Sequence, residues 1–407
     1  MNAHPSTLRH DFAADAAVLQ PELVALRREL HAHPEVGMHL PVTQAAVLRE
    51  LEGLDLEITR GRAGSSLTVV LRGGSPGPAV LLRGDMDALP VTESTGLAYA
   101  ATNGAMHACG HDLHTAGLVG AVRLLHARRA EMPGDVVFMF QPGEEGPGGA
   151  GPMIEEGLLE AAGKPLVAAY GIHVVPGPRG VFTTRPGTIM AGSNILEIRV
   201  TGKGGHGSNP SKSIDPVPVL LEIAGALQTF ASRRFTAADP IVLSVTQLAA
   251  GSEAVNVIPD TATLGATIRT LSQASFDLIA TELPRMVQTI ARAHYCSADV
   301  DFTLLYPPTV NAPEHAKRAL ETLGAVFGSD RAVPMPDPMM GSEDFSLVLE
   351  RVPGAFIMLM ATPPDLDPAT AAYNHSPEVR FDDAVLGDQA AALAHLAWSA
   401  LRASAAQ

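Results

Sequence analysis

Residues 21–32 read PELVALRRELHA, and the apolar side chains at Leu23, Leu26 and Leu30 recur at the spacing of one helix face. Pro21 marks the predicted start, because a proline at the first helical position gives up no hydrogen bond that the helix needs. Ser66–Leu71 and Ala79–Leu82 are strand-like, with the turn-forming run Gly73-Gly74-Ser75-Pro76-Gly77 between them. Leu113–Leu125 reads as a helix. Val136–Phe140 is a continuous apolar run, the mark of a strand buried on both faces, and Gln141-Pro142-Gly143-Glu144-Glu145 follows it. Val167–Ile172 is another short apolar segment, ended by His173. Strands alternating with helices predict a layered α/β domain.

The pattern changes after about Gly187. Asn194–Thr201 alternates like a half-buried strand, Val217–Phe230 is helical, and Ile241–Ala249 and Ala262–Arg269 are strands. Phe276–His294 is helical and Asp299–Leu305 is a last strand. The order β-α-β-β-α-β is a split βαβ, ferredoxin-like unit, complete in itself and inserted in the chain. The first domain resumes near Pro307 with a helix at Glu314–Phe327, a strand at Phe356–Met360 and a helix at Asp383–Leu401. The expected division is therefore 1–187, 188–306 and 307–407, with the outer two segments forming one domain.

At 407 residues the chain exceeds what one core usually supports, which agrees with two domains. Hydrophobic residues at 46% against 17% charged exclude a disordered chain. The formal charge of −15 argues against a nucleic-acid partner and suits cation binding. Cysteines are two, Cys109 and Cys296, too few for a disulfide framework, so a reducing compartment is expected. No apolar run suits a signal peptide or a bilayer span, and the expectation is a cytoplasmic protein without a membrane partner.

Residues 105–115, AMHACGHDLHT, carry three histidines, a cysteine and an aspartate within eight positions. Thiolate and imidazole are the usual ligands of zinc-like ions, and a carboxylate can orient a ligating imidazole. Gly110 lets the chain turn between Cys109 and His111. The plainer alternative, a buried thiol beside a core histidine, accounts for the string less well. Glu144 and Glu145 follow a buried strand, where α/β proteins place their sites, so one can bind metal while the other serves as general base. An exposed acidic loop is the alternative. Asp85 and Asp87 lie just past another strand, either as turn residues or as supports for a metal-bound imidazole. His173 and His375, taken singly, read as core or loop histidines; with Cys109, His111 and a glutamate they complete two metal sites. His206, in Gly202–Gly207, is a loop imidazole suited to an electrophile. Asn256 and Arg269 are candidate substrate contacts, the arginine as a bidentate carboxylate grip or simply as an exposed strand residue. His31 and His33 read as a helix end, and Cys296 as structural.

The strings Arg83–Pro90 (RGDMDALP), Met106–Asp112 (MHACGHD) and Phe140–Glu145 (FQPGEE) resemble the two-metal amidohydrolases, a group that includes hippurate hydrolases, N-acyl-amino-acid amidohydrolases and auxin-conjugate hydrolases. Gly171-Ile172-His173, Gly202–His206, Met340–Phe345 and His375-Ser376-Pro377 follow in the same order, so the resemblance runs from about Leu23 to near Leu396. It implies a metal-binding α/β catalytic domain with an inserted lid that also forms a homodimer. It implies two divalent ions, Zn, Mn, Co or Ni, held by Cys109 as a bridge with His111, Glu145, His173 and His375. By the same resemblance Glu144 is the general base, His206 stabilises the oxyanion from the neighbouring subunit, and Asp87 supports the site. Asp85 stands where other members carry a metal-binding histidine, a task His111 takes over. Asp112 and His114 become supporting residues. Members usually carry alanine at the Gly143 position, an exchange expected to matter little. The implied reaction is hydrolysis of the amide of an N-acyl amino acid. A dipeptidase on the same scaffold is the alternative, and a non-catalytic metal-binding protein a more distant one.

Overall fold

The computed structural model describes residues 11–146 and 148–405, which divide into two compact units. One unit holds the chain up to Gly187, Val310–Pro336 and everything from Leu347; the other holds Thr188–Thr309 and Asp337–Ser346. The first stretch runs α1 (Phe12–Ala32), α2 (Pro41–Glu50), β1 (Glu57–Arg60), β2 (Leu67–Leu71), β3 (Ser75–Asp85), α3 (His111–Ala127), β4 (Pro133–Gln141), α4 (Ala150–Glu155), β5 (Leu166–Val175) and β6 (Phe182–Thr184). The inserted stretch runs β7 (Gly187–Met190), β8 (Gly192–Thr201), β9 (Gly205–His206), α5 (Pro216–Arg234), β10 (Val242–Ala250), β11 (Val257–Ile258), β12 (Thr261–Thr270), α6 (Gln273–Ala293) and β13 (Ser297–Tyr306). The last runs β14 (Thr309–Asn311), α7 (Pro313–Phe327), β15 (Ala332–Pro334), α8 (Ser346–Leu349), β16 (Gly354–Met360) and α9 (Leu386–Ala405).

The first unit is built on an eight-stranded sheet in the order β1-β2-β4-β3-β5-β16-β6-β15. Its centre is parallel: β3 pairs with β4 and β5, and β5 with β16. Strands in such a position are buried on both faces, which is why 136–140 are apolar throughout and fully buried. Helices α3 and α9 pack on this sheet and α1 packs on both of them, and their buried faces (Leu23, Leu118 and Leu393 among them) form the core. The carboxyl ends of β3 and β4 lie side by side, with Asp85 opposite Gln141. Loops leaving these ends carry the candidate site residues, as expected for an α/β sheet.

The structure corrects the reading of α1. Pro21 lies inside the helix rather than at its start, which is Phe12, capped by the Asp11 carboxylate accepting from the Ala14 N–H at 3.0 Å. The proline removes the bond to the Ala17 carbonyl, but both residues are exposed, so water can replace it while Phe12, Ala16, Leu23, Leu26 and Leu30 hold both halves down. Helix α2 gave no clear signal. Its start is closed by Glu35, whose carboxylate accepts from the Val42 and Thr43 N–H groups at 3.2 and 2.9 Å.

The second unit has a four-stranded sheet in the order β10-β12-β8-β13, every pairing antiparallel. Together with α5 and α6, which share its core, this is the β-α-β-β-α-β arrangement that the sequence predicts. The segment read as 307–407 is interrupted, because Asp337–Ser346 groups with the second unit. The Met339 N–H donates to the Ile189 carbonyl at 2.8 Å, and the Ala191 N–H to the Met339 carbonyl at 3.0 Å. Among the described residues no helix is long and apolar enough to cross a membrane.

Candidate metal centre

Gly110 adopts φ +88°, and a Cβ built on it would lie 2.2 Å from Val174 Cγ2. Only glycine fits that left-handed turn against β5. The turn sets Cys109 on one side and starts α3 at His111 on the other, two residues before the predicted Leu113. His111 Nδ1 donates to the Asp87 carbonyl oxygen at 2.9 Å, and Nε2 faces Asp85 Oδ2 at 3.3 Å and Glu145 Oε1 at 3.8 Å. His173 lies inside β5 rather than at the end of a segment; its Nδ1 donates to the Val174 carbonyl at 2.8 Å and its Nε2 sits 3.4 Å from Cys109 Sγ. His375 holds φ +73°, unusual for a non-glycine residue, and its N–H donates to the Ala108 carbonyl at 2.9 Å. Its Nε2 lies 3.2 Å from Glu145 Oε1.

The supporting residues divide their work. Asp87 accepts from the Glu144 and Glu145 N–H groups at 3.0 and 3.1 Å, so one carboxylate fixes the backbone of both glutamates while its own carbonyl orients His111. Asp85 is fully buried, takes a 2.5 Å bond from Arg83 and a 2.6 Å bond from His114 Nδ1. The Val174 N–H donates to His114 Nε2 at 2.8 Å, so both His114 nitrogens are used and it has no lone pair for a metal. Asp112 faces away from the donors. It accepts from Arg27 Nε at 2.7 Å and His31 Nδ1 at 2.8 Å, and His31 Nε2 reaches Glu93 at 3.1 Å. His31 is thus the last turn of α1, as read, but is buried between two carboxylates. Neither ring nitrogen of His107 has a hydrogen bond, and burial pushes its pKa down to about 3.

The donor atoms of Cys109, His111 and His173 lie within 4.8 Å of one another, and so do those of Cys109, Glu145 and His375. Cys109 belongs to both groups. Glu144 joins His111 and Glu145 in a third group of the same tightness. Two of these buried atoms complete no well-aligned hydrogen bond: His111 Nε2 faces Asp85 Oδ2 at 3.3 Å, and Glu145 Oε1 faces His375 Nε2 at 3.2 Å. A thiol, three imidazoles and a carboxylate converging in this way fit a pair of divalent ions. Burial opposes charge on His111, but Asp85 raises its pKa well above the usual imidazole range, so a metal there would have to displace a proton. Burial and then Glu145 raise the Cys109 pKa, so the thiolate needs a neighbouring cation. Burial, with His114 behind it, holds His173 well below the usual imidazole range and therefore neutral. Cys109, then Glu145, push His375 up to about 10.

The other candidates lie in the second unit. His206 is exposed, pairs with Val257 across β9 and β11, and its Nδ1 accepts from the Ser208 N–H at 3.1 Å. The Gly207 N–H donates to the Asn256 carbonyl at 2.7 Å, so the sequence candidates His206 and Asn256 are neighbours. Arg269 is half-buried on β12 and already engaged with the Ser193 and Thr267 hydroxyls, rather than being a free strand arginine. The Gly143 expectation is overturned: this residue takes φ +73° and a Cβ there would lie 2.4 Å from Met38 Sδ, so alanine is not a neutral exchange in this chain. Sequence reasoning also missed Asn374, whose one signal is its place beside His375, and Arg27, which looks like any helix arginine.

Residues 81–399 match the model of peptidase family M20/M25/M40. The chain is 36% identical over 388 residues to thermostable carboxypeptidase 1 of Saccharolobus solfataricus, covering 94% of this chain and 95% of that one. It is 35% identical over 340 residues to the N-acetylcysteine deacetylase of Bacillus subtilis, covering 83% and 87%. The crystal structure of the YXEP protein of Bacillus subtilis, a dinuclear metal binding peptidase from the M20 family, superposes with a TM-score of 0.81 at 30% identity, covering 95% and 99%.

Proposed function

The chain belongs to peptidase family M20/M25/M40, and from that premise we propose that it hydrolyses the amide bond of N-acyl amino acids, releasing a carboxylic acid and an amino acid. The observation that carries this reading is the single sulfur of Cys109 shared by two donor groups, with Glu144 beside them. The structurally similar YXEP protein, a dinuclear metal binding peptidase, and the relative that deacetylates N-acetylcysteine support it.

In this reading Cys109, His111, Glu145, His173 and His375 would together hold a pair of divalent ions. Bound there, such ions would supply Lewis acidity and lower the pKa of water toward ~7. Glu144 does the proton work. Its carboxylate takes a proton from the attacking water and then delivers it to the leaving nitrogen. Asp87 holds the Glu144 backbone, which fixes where that carboxylate can reach. His206 donates to the oxyanion from the second copy in a homodimer formed through the inserted unit, the lid. Arg269 and Asn256 serve the substrate's polar end. Zn, Mn, Co or Ni suits the donor set. With two cysteines and no disulfide framework, the cytoplasm is the assigned compartment.

Glu144→Ala tests the assignment. Bound metal should be retained, measured by elemental analysis, while turnover of N-acyl amino acids falls by about 10²–10⁴. Near-parental turnover refutes Glu144 as the base. The relative named a carboxypeptidase favours a second reading, cleavage of peptides on the same centre. A panel of acetylated and aroylated amino acids set against dipeptides separates the two.

A further inference from the structure

We propose that Asn374 is a positioning residue that assembles the metal centre by tying its donor-bearing segments together. The inference rests on the metal-centre reading above and adds a residue to it. The donors Cys109, His173 and His375 sit on a loop, a strand and a second loop that are remote in sequence. The Asn374 amide lies where they meet. Its Nδ2 donates to the Cys109 carbonyl and to the Val174 carbonyl, both at 3.2 Å, and lies 3.7 Å from Cys109 Sγ. Three acceptors facing Nδ2 settle which end of the amide is nitrogen.

Oδ1 of Asn374 is buried and has no hydrogen bond among the described residues. The amide thus spends its donor end on the segments that carry Cys109 and His173. The backbone acts in the same direction. His375 holds its left-handed conformation with its N–H on the Ala108 carbonyl, so residues 374 and 375 grip both 108 and 109. An aspartate at 374 would set a carboxylate against two carbonyls and a sulfur, and an aliphatic residue would offer no donor. Asn374 thereby fixes where the sulfur stands between the His173 and His375 imidazoles.

The test uses the full chain stripped of metal and titrated with cobalt(II) alone. Asn374→Ala should leave the melting temperature of the metal-free protein close to the parent's, because the side chain is only half-buried. Cobalt(II) affinity should fall about 10–100-fold, with weaker thiolate-to-cobalt absorption. Asn374→Ser, which keeps one donor, should recover part of both, and it carries the comparison if the alanine variant does not fold. In the metal-free state, alkylation of Cys109 followed by peptide mapping should be faster in either variant. Parental cobalt affinity and absorption, or an unchanged alkylation rate, overturn the proposal. None of these readouts uses a substrate, so a wrong assignment of the hydrolysed bond would leave them standing.

Discussion

At the scale of single residues, Gly143 sets the cost of the loop that carries Glu144 and Glu145. Its φ of +73° places any side chain in the left-handed region, and Met38 occupies the space a Cβ would need. Gly143→Ala should destabilise the protein by about 1–2 kcal/mol, read from urea denaturation, and should depress kcat more than it changes KM because Glu144 is the next residue. Stability within error of the parent would show that the loop relaxes freely. Residues with distinctive chemistry were legible in the sequence: a cysteine, several histidines and paired glutamates near strand ends announce themselves. Their hydrogen bonds were not. That His114 spends both nitrogens, or that Asp87 grips two backbone N–H groups, depends on the approach of β5 and of the loop after β4, which no local spacing encodes.

At the scale of elements, α1 and α3 are joined by the buried His31, Asp112 and Arg27 cluster. Burial opposes charge on His31, yet its bonds to Asp112 and Glu93 raise its pKa. A folded pKa above the unfolded ~6.5 means that its contribution is complete below about pH 6.5 and fades as pH rises through the folded value. Burial also opposes charge on Asp112, but Arg27 and then His31 depress its pKa, so its contribution is complete above ~pH 4 and is lost in acid. Metal-free protein should therefore lose stability on the alkaline side through the titration of His31, and His31→Gln should flatten that limb in denaturation measurements made across pH. An alkaline limb identical in the variant would assign it to another group. Element types with strong periodicity were readable, the β-α-β-β-α-β run above all. Helix α2 was not, since Glu35, outside the helix, closes its start, and β1 was not, since all four of its side chains are exposed and it exists by pairing with β2.

At the scale of the whole molecule, the candidate ligands Cys109, His111, Glu145, His173 and His375 all belong to one of the two units. A ligand that binds only the folded state raises stability by about 2.7 kcal/mol at a hundredfold excess over its Kd. Calorimetry should resolve two transitions, and chelation should lower the one belonging to the metal-binding unit while leaving the other in place. Equal shifts of both would mean that the units unfold as one. The insertion was visible in the sequence because its own hydrophobic pattern closes on itself; the return of 337–346 to it was not, because that link is made by backbone bonds from Met339. The strand order carries one more consequence, for synthesis. Strand β16 pairs with β5 on one edge and β6 on the other, although both precede it by well over a hundred residues. A nascent chain on the ribosome thus holds a gap in its central sheet until Gly354–Met360 have emerged, with His375 still to come. The candidate donors Cys109, His111, Glu145 and His173 all precede that point and His375 follows it, so the five can come together only after residue 375 has emerged.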